Sequence, residues 1–444
     1  MGRMQVRDRS LISLSWPLIL TFGVGTFQPM MDSWFLSRTS ETAAAGVGAL
    51  MPVLGALFMA IQAFSQAGAS IASQFLGAER KRQAGVTQSM ILTGSLLLGI
   101  AITLLVIPLA DHIVSWMGLS GEAALHAKNF LHIVSFGFAF RSLQTTLTAL
   151  IATHGLTIWN LFGNIFTILS NFVLNIILLN GYFGLPKMGV EGVAIATMLS
   201  WLISSGILYL VLHKKIKHRF KRSDFKRSRI ILPDWIRIGL PAAAEPVSFQ
   251  LFQVFLTAMV VHFGTLSITA RVFSANFAMF AVILSVGLGS GNQILVAHLV
   301  GAKNYGKANK RVHQSLFGSC LGAMFVSVLV AIFGTNLLSL YTTNSEILKL
   351  GSICLWCDAL VQPFKAANIV LTNSLRASGD SKFPAIVGSA MMWTLGLGTA
   401  LFLAFGLGLG LPGLWIGMAA DEFYRSIVNY LRWRSGKWQK HGVV

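Results

Sequence analysis

The chain has 444 residues, of which 54% are hydrophobic and only 11% charged, with a mean hydropathy of +0.68, a composition too apolar for an ordinary soluble globule. Its net charge of +19 does not point to nucleic acid, because the lysines and arginines lie in short loops between apolar stretches and not on a face interleaved with aromatics. The stretches approach the ~20 residues a helix needs to cross the hydrocarbon, which excludes the ~10-residue alternating strands of a membrane barrel. The chain reads as an all-α, polytopic membrane protein.

Twelve apolar segments follow one another, at 11–36, 44–75, 87–110, 127–151, 158–181, 189–212, 236–262, 266–299, 314–340, 346–374, 384–407 and 411–432. The first stands behind Arg3, Arg7 and Arg9, holds Pro17 and Pro29 and lacks a small-residue cleavage site, so it is expected to stay as a helix. It carries Asp32, a carboxylate that is costly in a membrane unless it faces the bundle interior, and therefore a proton or cation site by default. On the fifth segment Asn171 and Asn175 are four apart and share one face. The seventh holds Glu245 between Pro241 and Pro246, prolines that free backbone carbonyls and favour a kink. The tenth holds Asp358 and Lys365, seven apart and so about 10.5 Å along one helix face. Either they reach each other, or both line a wet cavity where partners from other helices meet their demands. Arg141, Arg271 and the twelfth-segment Asp421, Glu422 and Arg425 read as structural charges, with Asp421 and Arg425 spaced to pair. Cys354 and Cys357 form a C-x-x-C that reads as buried thiols, since no second motif completes a metal site.

Bases collect after the even-numbered segments: Arg80 to Arg82, Lys214 to Arg229, Lys303 to Arg311, Arg376 with Lys382, and the tail with Arg434, Lys437 and Lys440. The positive-inside rule then places both termini in the cytoplasm. The longest basic run, around 214–229, divides the chain into an N-lobe at 1–213, a linker at 214–235 and a C-lobe at 236–444. Both lobes show the same punctuation. Pro17 falls on Pro241, Gly77-Ala78 on Gly301-Ala302 and Gly155 on Gly379, each at an offset of 224, and Gly189 and Gly192 fall on Gly410 and Gly413 at 221. Six helices per repeat give both repeats the same orientation, related by a pseudo-two-fold axis along the membrane normal. Two such lobes can rock around a central cavity in alternating access.

From WPLILTFGVGTFQPMMDSWFLS through SIASQFLGAERKRQAG, LSNFVLNIILLNGYFGLPKMGVEGVAIATMLS, IGLPAAAEPVSF and GAKNYGKANK to SLRASGDSKFP, the chain resembles the bacterial multidrug and toxic compound extrusion (MATE) transporters, of the multidrug/oligosaccharidyl-lipid/polysaccharide exporter superfamily. The resemblance implies two six-helix lobes and export of organic, cationic amphiphiles in exchange for H⁺ or Na⁺. It implies ion coupling at Asp32, with Asn171, Asn175 and Thr197 around a proton or a Na⁺. The family often has Asp where this chain has Asn175, so the site here has one acid fewer. It also implies a substrate or coupling role for Glu245 in the C-lobe, where Asp358 and Lys365 are further candidates.

Lys365 beside a cavity disfavours a cation next to it, so an exporter of anionic or zwitterionic metabolites, or a flippase of a lipid-linked precursor, is the alternative. No H-E-x-x-H, P-loop or G-x-S-x-G occurs, so neither an enzyme nor an ATP-driven pump is expected, and no pore-lining ring suggests a channel. The remaining expectations are no cofactor beyond the coupling ion, a small organic substrate, the bilayer of the cell membrane as the surrounding partner, no nucleic acid, and a monomer.

Overall fold

Backbone that lies in hydrocarbon has no water to bond, so apolar runs of this length must satisfy their amides internally, as helices. The computed structural model describes residues 5–217 and 222–444, which are nearly all helical, with no strand among them. The first predicted segment is α1 (Leu11–Gly25) and α2 (Phe27–Thr39), joined at Thr26, whose hydroxyl donates to Gly23 O at 2.7 Å. There follow α3 (Glu41–Gly77), α4 (Lys81–Trp116), α5 (Gly121–Phe136) with α6 (Phe138–Thr153), α7 (Thr157–Asn180) and α8 (Gly189–Val211). The second half runs through α9 (Arg222–Val261), α10 (Thr265–Gly301), α11 (Tyr305–Ile332) with the short α12 (Gly334–Leu338), α13 (Ser345–Ala377), α14 (Lys382–Met391), α15 (Leu397–Leu401) and α16 (Gly410–Arg434). Wide π-helical turns at Met392–Gly396 and Phe402–Gly406 flank α15, so Lys382–Gly406 forms the eleventh predicted segment.

Among the described residues, ten helices are long and apolar enough to cross a membrane. The two predicted segments outside that count have visible reasons. The fourth is broken at Gly137, whose dihedrals nonetheless remain helical at φ −77° and ψ −15°, and α16 carries Asp421, Glu422 and Arg425 in its middle. With these two, the helices follow the twelve-segment pattern. Of the expected linker, residues 218–221 lie outside the described residues, and the chain is helical again from Arg222.

The chain divides into two compact units. The amino-terminal unit holds Leu20–Ala72 and Arg80–Gly239; the carboxy-terminal unit holds Leu240–Val444 together with the chain up to Ile19 and Ser73–Glu79. In the amino-terminal unit, Phe35, Leu54, Phe130, Phe138 and Trp201 centre an apolar core. In the carboxy-terminal unit, Phe252, Leu256, Val361 and Trp415 centre one core, and Val300, Leu375, Trp433 and Trp438 a second.

The internal repeat is written in the backbone as well as the sequence. Glu79 and Lys303, 224 residues apart, both take left-handed dihedrals, with φ of 61° and 54°, an uncommon choice for non-glycine residues. Gly155 and Gly379, at the same offset, have φ of 72° and 93°. Gly77 and Gly301 mark a reciprocal crossing within the carboxy-terminal unit: a Cβ on Gly77 would strike the carbonyl of His298, and one on Gly301 the carbonyl of Gln74. Since Gln74 and His298 are also 224 apart, this is one contact made twice, and only glycine permits backbones so close.

Candidate functional site

The amino-terminal unit brings Asp32, Asn171, Asn175 and Thr197 together. Asp32, on α2, is 7% exposed and the two asparagines of α7 are fully buried. Their spacing of four residues lets Asn175 Nδ2 donate to Asn171 Oδ1 at 3.1 Å while also donating to Asp32 Oδ1 at 3.3 Å. Asn171 Nδ2 in turn donates to Thr197 Oγ1 of α8 at 3.2 Å. The Thr197 hydroxyl has one proton and two acceptors, Val193 O at 2.9 Å and Asp32 Oδ2 at 3.4 Å, so the nearer carbonyl competes for it. Asp32 therefore has only neutral and rather long contacts. Beside it, Asn175 Oδ1 is a buried acceptor with no donor.

Two turns along α8 from Thr197 lies a second polar group, of which the sequence marked only Arg141. Gln144 Nε2 donates to Thr167 Oγ1 at 2.9 Å and to Ser204 Oγ at 3.0 Å, and its Oε1 accepts from Arg141 Nη1 at 2.9 Å. The Arg141 guanidinium stands 5.3 Å from the Phe58 ring centre and 5.6 Å from that of Trp201, within cation–π range. Arg141 forms no ion pair among the described residues.

In the carboxy-terminal unit, Glu245 does not stand alone in a cavity. Its Oε2 accepts from Arg376 Nη2 at 2.7 Å, the two side chains being 12% and 16% exposed. This corrects the assignment of Arg376 to a basic loop: it occupies the last turn of α13 with its charge turned inward. On α16, Arg425 Nη2 bridges Asp421 Oδ2 at 2.6 Å and Glu422 Oε1 at 3.0 Å, so the expected Asp421–Arg425 pair forms and gains a third member. Glu422 Oε2 accepts from Asn368 Nδ2 at 2.8 Å, and Asn368 Oδ1 accepts from Asn429 Nδ2 at 2.9 Å. The two groups are neighbours, for a Cβ on Gly388 would sit 3.4 Å from Glu245 Oε1 and 3.8 Å from Arg425 Cδ. Asn368 and Asn429 were unmarked in the sequence, where an asparagine inside an apolar run carries no sign of its partner.

Asp358 and Lys365 part company. Both carboxylate oxygens of Asp358 accept from Gln362 Nε2, at 3.1 and 3.0 Å, and Oδ1 accepts from Trp415 Nε1 at 3.4 Å. Gln362, one turn away, outcompetes Lys365, two turns away. Lys365 Nζ lies 5.9 Å from the Phe249 ring centre, without a carboxylate partner among the described residues. Glu245 is thus held apart by Arg376, while Lys365 forms no ion pair with Asp358 but still acts on its carboxylate through space.

The MatE family model matches residues 17–177 and 241–411, two stretches that begin on the repeat-related Pro17 and Pro241. The uncharacterised transporter YisQ of Bacillus subtilis is 31% identical over 437 residues, spanning 98% of this chain and 96% of its own. The probable multidrug resistance protein NorM of Thermotoga maritima is 27% identical over 98% of this chain and 94% of its own. Among solved structures, a MATE protein in complex with MaL6 matches with a TM-score of 0.89 at 20% identity, over 99% of this chain and 98% of that one. A MOP superfamily transporter from Pyrococcus furiosus, for which reverse polarity of the binding pocket suggests a different function, matches with a TM-score of 0.84 at 19% identity, over 98% of this chain and 96% of that one.

Proposed function

The chain belongs to the MatE family of membrane transporters, and from that premise we propose that it is a secondary active exporter, moving organic amphiphiles out of the cell in exchange for H⁺ or Na⁺ by alternating access of its two lobes. The observation that carries the coupling role is the environment of Asp32. A buried carboxylate whose partners are all uncharged needs a counter-charge, and a coupling ion supplies it. A proton neutralises the group directly. Na⁺ is served by hard oxygens, and Asp32, Asn175 Oδ1, Asn171 Oδ1 and Thr197 Oγ1 provide them; the donor-free Asn175 Oδ1 speaks for such a cation.

The coupled cycle follows from electrostatics. With the ion bound, the amino-terminal unit is locally neutral; after release, Asp32 keeps a charge that only weak dipoles face. The two states differ by one charge at the α2, α7 and α8 contact, enough to bias how these helices pack. Glu245 serves the second lobe differently. Already neutralised by Arg376, it holds α9 to α13 as a positioning pair. We place the protein in the cell membrane with both termini cytoplasmic, acting as a monomer.

A cationic solute is the substrate implied by family resemblance. A second reading, an anionic or zwitterionic substrate, is favoured by Lys365, Arg271 and Arg141, membrane cations that form no ion pair among the described residues. Purified protein in liposomes should drive solute against its gradient when ΔpH or ΔNa⁺ is imposed, and one of the two ions should suffice. Flux indifferent to both gradients would overturn the exporter.

A further inference from the structure

We propose that the carboxy-terminal unit carries a binding strip for the acidic group of an amphiphilic anion, formed by Lys365 and Arg271 along one face of α9. The proposal rests on the exporter reading and names the class of its substrate. Phe249, Gln253 and Thr257 follow at intervals of four, which stacks them along a single stripe of α9 at about 6 Å per step. Two cations reach that stripe from other helices. Lys365 of α13 lies against the Phe249 ring at 5.9 Å, and Arg271 of α10 donates to Thr257 Oγ1 at 2.7 Å and to Gln253 Oε1 at 3.3 Å.

Neither cation forms an ion pair among the described residues, although four acids lie well inside the unit's membrane helices, apart from the exposed Glu346 in the first turn of α13. Each acid is engaged elsewhere: Glu245 by Arg376, Asp421 and Glu422 by Arg425, and Asp358 by Gln362 and Trp415. Lys365 sits twenty residues into the 33-residue α13 with twelve more before its end, well inside the helix. Arg271 is nearer its helix start, yet its guanidinium is turned onto Gln253 and Thr257. A hydroxyl and an amide oxygen satisfy two of its donors and none of its charge. Lys365, Phe249, Gln253 and Arg271 are only partly buried and Thr257 is exposed, so a solute can approach the stripe.

This arrangement suits a sulfate ester, sulfonate or phosphate monoester: the planar guanidinium fork receives two oxygens, a third is left to face the ammonium further along the stripe, and the Phe249 ring packs against the apolar body. The chemistry is the same whether the acid belongs to a soluble solute or to a lipid headgroup.

The test is equilibrium binding, which needs no ion gradient. Wild-type protein in phosphatidylcholine nanodiscs is titrated with labelled estrone sulfate and, in parallel, with tetraphenylphosphonium. Wild type is expected to favour the sulfate. Lys365→Gln and Arg271→Gln should each weaken it about ten- to a hundredfold, the scale of one lost charge-assisted hydrogen bond, while Lys365→Arg should retain it with unchanged thermal stability. Displacement by added phosphatidylglycerol assigns the strip to lipid headgroups, and no displacement assigns it to soluble solutes; either keeps the acidic-group chemistry. Sulfate binding that is unchanged in both glutamine variants, or a preference for the phosphonium ion, overturns the strip. If sulfate binds as expected but no gradient drives flux, the exporter reading fails and the strip stands; if flux is gradient-driven but only cations bind, the reverse holds.

Discussion

Replacing Arg425 with Met should be among the most damaging single changes in the chain, and the structure says where the damage falls. The Arg425 side chain is 5% exposed and its two partners, Asp421 and Glu422, 4% and 8%. Removing one partner of a buried ion pair costs about 3–5 kcal/mol because the other charge is stranded, and here two carboxylates are stranded. They do not suffer equally. Glu422 keeps the amide hydrogen bond from Asn368 at 2.8 Å, whereas Asp421 Oδ1 already has no partner and Oδ2 loses its only ion pair. The loss should sit mainly at Asp421. At roughly 2 °C per kcal/mol, the lower figure for large domains, Arg425→Met should lower the melting temperature in detergent by about 6–10 °C. Adding Asp421→Asn should restore more than half of it, and adding Glu422→Gln clearly less, the signature of a coupled network. A single variant melting within about 2 °C of wild type, or a larger rescue by Glu422→Gln, would refute the reasoning.

Other outcomes follow from the same geometry. Gly77→Ala and Gly301→Ala each force a Cβ into an opposing carbonyl, so each should destabilise by about 1–3 kcal/mol, the usual cost of overpacking, and to a similar extent because the contact is repeated; thermal melts check both. Gln362→Leu removes the donor to both oxygens of Asp358 and should cost about 1–3 kcal/mol, while Asp358→Asn in the same background should recover part of it, again by melting. Asn175→Asp adds a second carboxylate beside Asp32, and even strongly screened attraction should raise Na⁺ affinity at least tenfold, read by radiolabelled Na⁺ binding; unchanged affinity would argue that the asparagine oxygens do not face the ion.

What could be read in advance follows the physics of each feature. Membrane helices announce themselves because one requirement, a long apolar run, fixes both composition and length. Where the run is interrupted the boundary moved: the seventh segment begins at Arg222 and not near 236, as the basic stretch continues the helix, and the ninth breaks at Phe333 before α12. Of the Asp32 group, spacing alone declared the shared face of Asn171 and Asn175; their grouping with Asp32 and Thr197 came from the family resemblance. The carboxy-terminal charges were not, because their partners are set by long-range packing. Arg376 sits among loop-like residues, SLRASGD, and only the approach of α9 to the end of α13 turns it into the partner of Glu245. Lys365 and Asp358 share a helix face, yet a nearer amide took the carboxylate and a ring from α9 took the ammonium.

The most direct test of the account is gradient-driven accumulation by liposomes containing Asp32→Asn protein, measured beside equilibrium binding of the same solute. Coupling at Asp32 predicts that the variant binds solute as wild type does and accumulates none under ΔpH or ΔNa⁺. Accumulation at the wild-type level would place the coupling ion elsewhere in the chain.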